Sequence, residues 1–169
     1  DVLCVDKTGT LTSGHMALEQ LIPAPGVSED RVRDLLASFL CGMGADGSTA
    51  AALTAACPPR AAFRCFETVP FSSQRKWSLA VLESVGSVIL GAPERLLTGE
   101  ALSQAQERAA QGLRVLALME SPELPAIRDG DSHLPENRKL LALLCLCDRL
   151  RPQVSQTIEY FGREGVSIK

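Results

Sequence analysis

The residues most suited to chemistry open the chain. Asp6 ends the apolar run Val2-Leu3-Cys4-Val5 and is followed by Lys7-Thr8-Gly9-Thr10-Leu11-Thr12. A carboxylate at the C-terminal edge of a parallel strand lies where α/β folds bind their ligands. The loop after it offers backbone amides, hydroxyls from Thr8 and Thr10 and the cation of Lys7, which are the groups a transferring phosphoryl needs around it. Asp6 is then a candidate nucleophile that would form an aspartyl-phosphate. A surface loop that merely contains Asp and Lys is the alternative. Three further positions have physical reasons to face a ligand. Gly91 permits close backbone approach. Arg114 sits in the apolar run Leu113–Leu118 and needs a partner there. Asp148 follows the apolar run Leu140–Cys147 and can face the Asp6 loop. The plain alternatives are a helix start at 91–94, a solvent-facing Arg114 and a helix-entry role for Asp148.

Asp6 to Thr12 resembles the phosphorylation motif of P-type cation-transporting ATPases at every position. Pro70-Phe71-Ser72-Ser73-Gln74-Arg75-Lys76-Trp77-Ser78 resembles the nucleotide-domain motif of that family, and Gly91-Ala92-Pro93-Glu94 its Lys-Gly-Ala-Pro-Glu motif, with Leu90 in place of the Lys. Gly112–Leu118 is similar to its Leu-Arg-x-Leu-Ala strand. The resemblance implies ATP and Mg²⁺ as cofactors. It implies that Phe71 stacks on adenine, that Lys76 and Gly91 lie close to the nucleotide and that Arg114 reaches its phosphates. It implies Mg²⁺ on the Asp6 carboxylate and the Thr8 backbone carbonyl, an oxygen set that suits this ion. Core packing is the alternative for Phe71, and a solvated strand edge for Lys76.

Thr8 bears on the fate of the phosphate. Phosphatases of the wider haloacid-dehalogenase-like superfamily often carry an acid–base Asp at that position, and a hydroxyl has no useful pKa for the task. The resemblance therefore implies a lasting phosphoenzyme, as a pump requires. Ala50 stands where the family often has a Glu at the adenine edge. Asp46 is a weaker candidate for that role, helix capping being its plainer one. Leu90 and Ala50 thus remove a cation and a carboxylate from the pocket that the resemblance implies. The Leu-Gly-Ala-Pro-Glu form points to a bacterial branch and a metal cation, calcium being the candidate.

The elements that must position these residues follow from periodicity and punctuation. Residues 2–5 and 139–147 are short apolar runs, predicting strands of a parallel sheet buried on both faces. Met16–Ile22 predicts another strand. Ser28-Glu29-Asp30 opens a helix with Val32, Leu35, Leu36, Phe39 and Leu40 on one stripe, stopped at Gly42 and Gly44. Ser48–Ala56 is a second helix. Strands are predicted over 64–69, 77–83, 87–90 and 113–119, with a hairpin turn at 84–87. Short and long helices are predicted over 94–97 and 100–111, the second capped by Gly112. A loop spans 121–136, and a helix over 153–163 leads to a final strand at Val166. The expected fold is α/β with an α+β insertion: a nucleotide-binding domain at 23–138, with an antiparallel sheet flanked by helices, inserted into a partial Rossmannoid phosphorylation domain at 1–22 and 139–169.

Composition bounds the rest. The chain has 169 residues, 46% of them hydrophobic, and a formal net charge of −3. No basic stripe appears, which argues against nucleic acid as a partner. The longest apolar run is far short of the roughly 20 residues of a membrane helix, so a soluble piece is expected. The six cysteines lack Cys-x-x-Cys spacing, which argues against zinc and for buried reduced thiols. Both ends fall inside strand-like runs, predicting a monomeric piece of a larger protein. Its partners would be the nucleotide and the rest of its own polypeptide: membrane helices, an actuator domain and the remaining phosphorylation domain. It would lie at the cytoplasmic face of the membrane and, alone, be catalytically incomplete. A soluble phosphatase with a large cap, or a non-catalytic nucleotide-sensing module, are the competing functions.

Overall fold

The computed structural model describes residues 2–5, 11–44, 47–60, 62–128 and 131–168. In chain order the elements are β1 (Val2–Leu3), β2 (Thr12–Pro23), α1 (Glu29–Met43), α2 (Gly47–Ala56), β3 (Cys65–Val69), β4 (Trp77–Leu82), β5 (Gly86–Gly91), α3 (Pro93–Leu96), α4 (Gly99–Ala110), β6 (Arg114–Ser121), β7 (Ala126–Arg128), β8 (Asp131–His133), β9 (Lys139–Leu150), α5 (Val154–Arg163) and β10 (Ser167–Ile168).

A six-stranded sheet in the order β2-β9-β6-β5-β4-β3 dominates the structure, and each neighbouring pair in it runs antiparallel. The strand pleat sorts its side chains onto two faces. Ala80, Leu82, Val88, Leu90, Leu118, Leu144 and Leu146 pack with Val32, Leu35, Leu36, Phe39 and Leu40 of α1 and Leu53 of α2. Trp77, Leu79, Val81, Ile89, Val115, Ala117, Leu143 and Cys145 pack on the other face with Leu96 of α3 and Ala105 of α4.

This two-sided cover corrects one expectation. The unbroken apolar run at 139–147 signals a strand buried on both faces, but the strand is antiparallel to both β2 and β6 and belongs to the six-stranded sheet. Helices on both faces produce the same hydrophobic run that parallel pairing would. The segment expected at Met16–Ile22 is likewise a strand of this sheet, and longer than expected. Parallel pairing does occur between β1 and β10, in register Val2↔Ser167 and Leu3↔Ile168. Val2 is 58% exposed, so the strand expected to be buried is not covered here.

Local signals otherwise set the boundaries. The Ser28 hydroxyl accepts from the Arg31 amide at 3.3 Å and caps α1, with Glu29 and Asp30 in its first turn. Gly42 lies inside this helix instead of ending it. A Cβ there would come within 2.6 Å of Cys65 Sγ, so glycine lets β3 pack against the helix. The β4–β5 turn falls at 83–85, one residue earlier than expected, with Ser84 at φ 61° and Gly86 already paired to Leu82. Within the expected loop at 121–136 lies a small β7–β8 hairpin. Among the described cysteines only Cys57 and Cys145 are buried, while Cys4 and Cys41 are exposed, so general burial of the thiols is not met. Desolvation raises the pKa of both buried thiols, which favours the inert thiol over the thiolate.

Candidate functional site

A cavity of about 540 Å³ opens on the sheet face covered by α1 and α2. Its wall is built from six separate stretches of chain. The last turn of α1 gives Phe39, Leu40 and Met43, and the first turns of α2 give Ser48, Thr49, Ala50 and Leu53. The segment after β3 gives Pro70 and Phe71, and the sheet gives Ser78, Leu90, Gly91, Arg114 and Leu116.

The pleat explains the sheet's share. Ser78 and Leu90 are directly paired, and the Ser78 hydroxyl donates to the Leu90 carbonyl at 3.3 Å. Arg114 begins β6 two residues before Leu116 and therefore faces the same side. Its guanidinium is exposed at the cavity mouth, with Nη1 3.8 Å from Met16 Sδ. The Ser48 and Thr49 hydroxyls approach the same sulfur at 3.8 Å.

Phe71 is held out by a tight turn. The Lys76 amide donates to the Ser72 carbonyl at 2.6 Å, and the Arg75 guanidinium donates to the Pro70 carbonyl at 2.9 Å while lying 5.3 Å above the Trp77 ring. Lys76 closes the turn at φ 62°, a left-handed conformation that costs a side-chain-bearing residue about 1 kcal/mol or more. Phe71 is 62% exposed, which removes core packing as the reason for this aromatic.

Gly91 is required by close approach. A Cβ at this position would lie 2.6 Å from Trp77 Cβ, 2.7 Å from the Lys76 carbonyl oxygen and 2.9 Å from Trp77 Cα. The next amide, of Ala92, donates to that same carbonyl at 2.9 Å. One glycine thus locks the Lys76 turn onto the end of β5.

Three of the four predicted nucleotide residues, Phe71, Gly91 and Arg114, therefore meet at one cavity. Lys76 does not line it. Its ammonium sits 3.1 Å from Glu94, where the family resemblance had put it near the nucleotide. The Glu94 carboxyl is held below its ordinary range by its own backbone amide and then by Lys76. Phe39, Leu40, Leu53 and Met16 were not predicted. The first three read in sequence only as helix core, and Met16 as a strand residue.

A second cavity of about 520 Å³ adjoins the first, sharing Ser48 and Arg114, and is lined further by Thr12, Gly14, Met16, Cys147 and Asp148. Thr12 and Asp148 come from β2 and β9, whose pairing sets Met16 opposite Asp148. Cys147, beside Asp148, has its thiol pKa raised by a hydrogen bond with Glu19 and by burial. The predicted catalytic and metal residues Asp6, Lys7 and Thr8, with Thr10, lie outside the described residues, as does Asp46. Thr12 begins β2 shortly after Thr10.

A larger cavity of about 780 Å³ lies by Trp77 and Arg95, near the β7–β8 hairpin, and is lined also by Arg75, Glu123 and His133. It holds none of the predicted site residues and is more open and more polar. The smaller cavity is the better candidate on convergence of chemistry, despite its size.

No family model matches the chain. Whole-chain relatives do. The probable cation-transporting ATPase exp7 of Streptococcus pneumoniae is 35% identical over 170 residues, covering 100% of this chain and 22% of that protein. The calcium-transporting ATPase CtpE of Mycolicibacterium smegmatis is 32% identical over 177 residues, covering 100% of this chain and 21% of its own length. Over its whole length the chain matches a segment of cation-transporting P-type ATPases. A potassium-transporting ATPase ATP-binding subunit of Deinococcus radiodurans is 31% identical over 180 residues, covering 98% of this chain and 24% of the subunit. The fold agrees with the crystal structure of a zinc-transporting PIB-type ATPase, with a TM-score of 0.71 and 20% identity over 98% of this chain and 24% of that one. The chain thus spans about a fifth to a quarter of the length of the P-type ATPases it matches, and it corresponds to their ATP-binding region.

Proposed function

We propose that the cavity between α1, α2 and the sheet holds the base of ATP, and that this chain passes the γ-phosphate to Asp6 within a cation-transporting P-type ATPase. The convergence of Phe71, Gly91 and Arg114 on one cavity carries this reading. Phe71 stacks on the base, the apolar floor accepts its ring, and Gly91 lets backbone come close. The phosphates leave past the Arg114 guanidinium and the N-terminal end of α2, both favourable to anions. They then point along the second cavity toward Thr12, Asp148 and the segment that carries Asp6.

Oxygen chemistry at that end suits Mg²⁺. Thr12 and Asp148 supply the hydroxyl and carboxylate there, oxygen donors of the kind this ion takes. Asp6 and the Thr8 carbonyl would hold the ion, which neutralises phosphate charge when bound. Lys7 and Thr10 supply further donors to the transferring group. Thr8 leaves water without an acid–base partner at that position, so the aspartyl-phosphate persists.

The remainder belongs to the longer protein. Because β2 and β9 belong to the six-stranded sheet, the nucleotide-binding domain takes in 12–150 and not only the 23–138 expected, and the residues on either side contribute to a phosphorylation domain that further chain completes. Parallel β1–β10 pairing and an α5 with no buried residue support further chain packing there. Among the described residues no helix is long and apolar enough to cross a membrane. Membrane helices and an actuator domain elsewhere in the polypeptide supply transport and dephosphorylation, with this segment at the cytoplasmic face. A metal cation is the cargo, calcium being the candidate.

The test is ATP affinity of the chain with Phe71 replaced. Phe71→Ala removes one base–aromatic stack, worth about 1–3 kcal/mol, so affinity should fall by roughly 5- to 150-fold with the melting temperature unchanged. Unchanged affinity would remove Phe71 from the site. In the full-length protein, acid-stable labelled phosphate should form and be lost in Asp6→Asn. Its retention would exclude Asp6 as the acceptor.

A further inference from the structure

Phe71 is exposed, so core packing does not aim its ring. Its direction has to come from the backbone of the segment between β3 and β4. That segment is tied at three points. The Ser72 hydroxyl accepts from the Gln74 amide at 3.3 Å, the Ser72 carbonyl from the Lys76 amide at 2.6 Å, and the Pro70 carbonyl from Arg75 Nη2 at 2.9 Å. The first two hold the chain after Phe71. The third holds the chain before it.

The Pro70 carbonyl and the Phe71 amide share one rigid peptide plane, and the proline ring fixes the φ behind that plane. A hydrogen bond to this oxygen therefore sets the plane from which the Phe71 side chain projects. Its donor is charged, which makes the bond stronger than a neutral one. The donor is itself anchored. The Arg75 guanidinium lies 5.3 Å from the centre of the Trp77 ring, and Trp77 is buried in β4 and paired with Gly91 of the cavity wall. The sheet, Trp77, Arg75 and the Pro70–Phe71 peptide thus form one line of contacts. Arg75 lines the 780 Å³ cavity beside Arg95 and Glu123, and it reaches the base cavity through the backbone of Pro70 and Phe71.

We infer that Arg75 is a positioning residue of the nucleotide site: by fixing the Pro70–Phe71 peptide it presets the ring on which the base stacks. The inference rests on the nucleotide reading above. Without Arg75, ATP has to order that peptide as it binds, and ordering the backbone of one residue corresponds to roughly five- to thirtyfold in affinity.

The experiment is a double-mutant cycle on ATP affinity, read by NMR titration of the chain carrying Arg75→Ala, Phe71→Ala and both. Arg75→Ala alone should weaken ATP by about five- to thirtyfold. In the Phe71→Ala background, where the ring to be aimed is gone, the same substitution should weaken ATP by less than about twofold. Arg75→Lys keeps the charge and the aliphatic stem but loses the planar fork that lies on Trp77 while donating to Pro70, so its loss should fall within about threefold of that of Arg75→Ala. Urea unfolding checks each variant, and where Arg75→Ala does not fold, the same cycle on Arg75→Lys decides. A loss that persists undiminished in the Phe71→Ala background, wild-type affinity in Arg75→Ala, or full rescue by Arg75→Lys would overturn the positioning role while leaving the nucleotide site standing. Wild-type affinity in Phe71→Ala, or a wild-type chain that binds no ATP, would overturn the nucleotide reading and this inference together.

Discussion

Gly91→Ala probes the contact that ties the Phe71 loop to the cavity wall. The added methyl meets two backbone atoms within 3 Å, the Lys76 carbonyl oxygen at 2.7 Å and Trp77 Cα at 2.9 Å, besides Trp77 Cβ at 2.6 Å. None is the free end of a flexible side chain, so β4 and β5 must part or the Lys76 turn must give up its hydrogen bond from Ala92. Overpacking of this kind costs about 1–3 kcal/mol. In a chain of 169 residues that lowers the melting temperature by roughly 2–12 °C, at about 2–4 °C per kcal/mol. Urea unfolding followed by circular dichroism measures it, with the denaturant slope held constant to show that only stability changed. Gly162→Ala, in α5 where a Cβ meets nothing within 4 Å, is the control and should not destabilise, alanine being favoured over glycine in a helix by up to about 1 kcal/mol. A Gly91→Ala protein as stable as the wild type would refute the claim that this glycine is set by backbone approach.

Two more outcomes follow from burial and charge. Leu144→Ala empties a fully buried position at the centre of β9 and should cost about 2–5 kcal/mol in urea unfolding. Ile158→Ala, 43% exposed on α5, should cost less than about 0.5 kcal/mol. Glu94→Gln releases Lys76 from its ion pair and should tighten ATP binding a few-fold in calorimetry, the scale of an exposed pair worth up to about 1 kcal/mol. Because the Glu94 carboxyl is depressed below its ordinary 4.5, the pair's contribution is present above that pH and is lost as pH falls below it. The gain from Glu94→Gln should therefore shrink in acid, and a gain that grows there would contradict the pairing.

Much of this fold could be read from the chain. Ser28 with its acidic first turn marked α1, and the stripe from Val32 to Leu40 marked the face it buries. Pro93 and Gly112 marked α3 and the end of α4, because caps and proline act within a turn of chain. What escaped was set by partners far away in sequence. The apolar run at 139–147 announced two-sided burial but could not say whether α1 and α4 or parallel crossover helices supplied the cover. The hairpin of β7 and β8 is too short and polar to leave a period. At the site, Gly91, Arg114 and Phe71 carried signals of their own: a glycine at a strand end, a charge in an apolar run and a motif. Lys76 carried the same motif signal, yet its partner Glu94, 18 residues on, holds it away from the cavity. The floor of Phe39, Leu40 and Leu53 looks like ordinary helix core until the fold leaves space beside it.

The most direct test of the nucleotide site is an amide-resolved NMR titration of the chain with ATP. The site described predicts that shifts concentrate at Gly44, Gly47, Ser48, Thr49, Phe71, Gly91 and Arg114, the lining of the 540 Å³ cavity. Shifts concentrated instead at Gln74, Trp77, Arg95 and His133, around the 780 Å³ cavity, would contradict it.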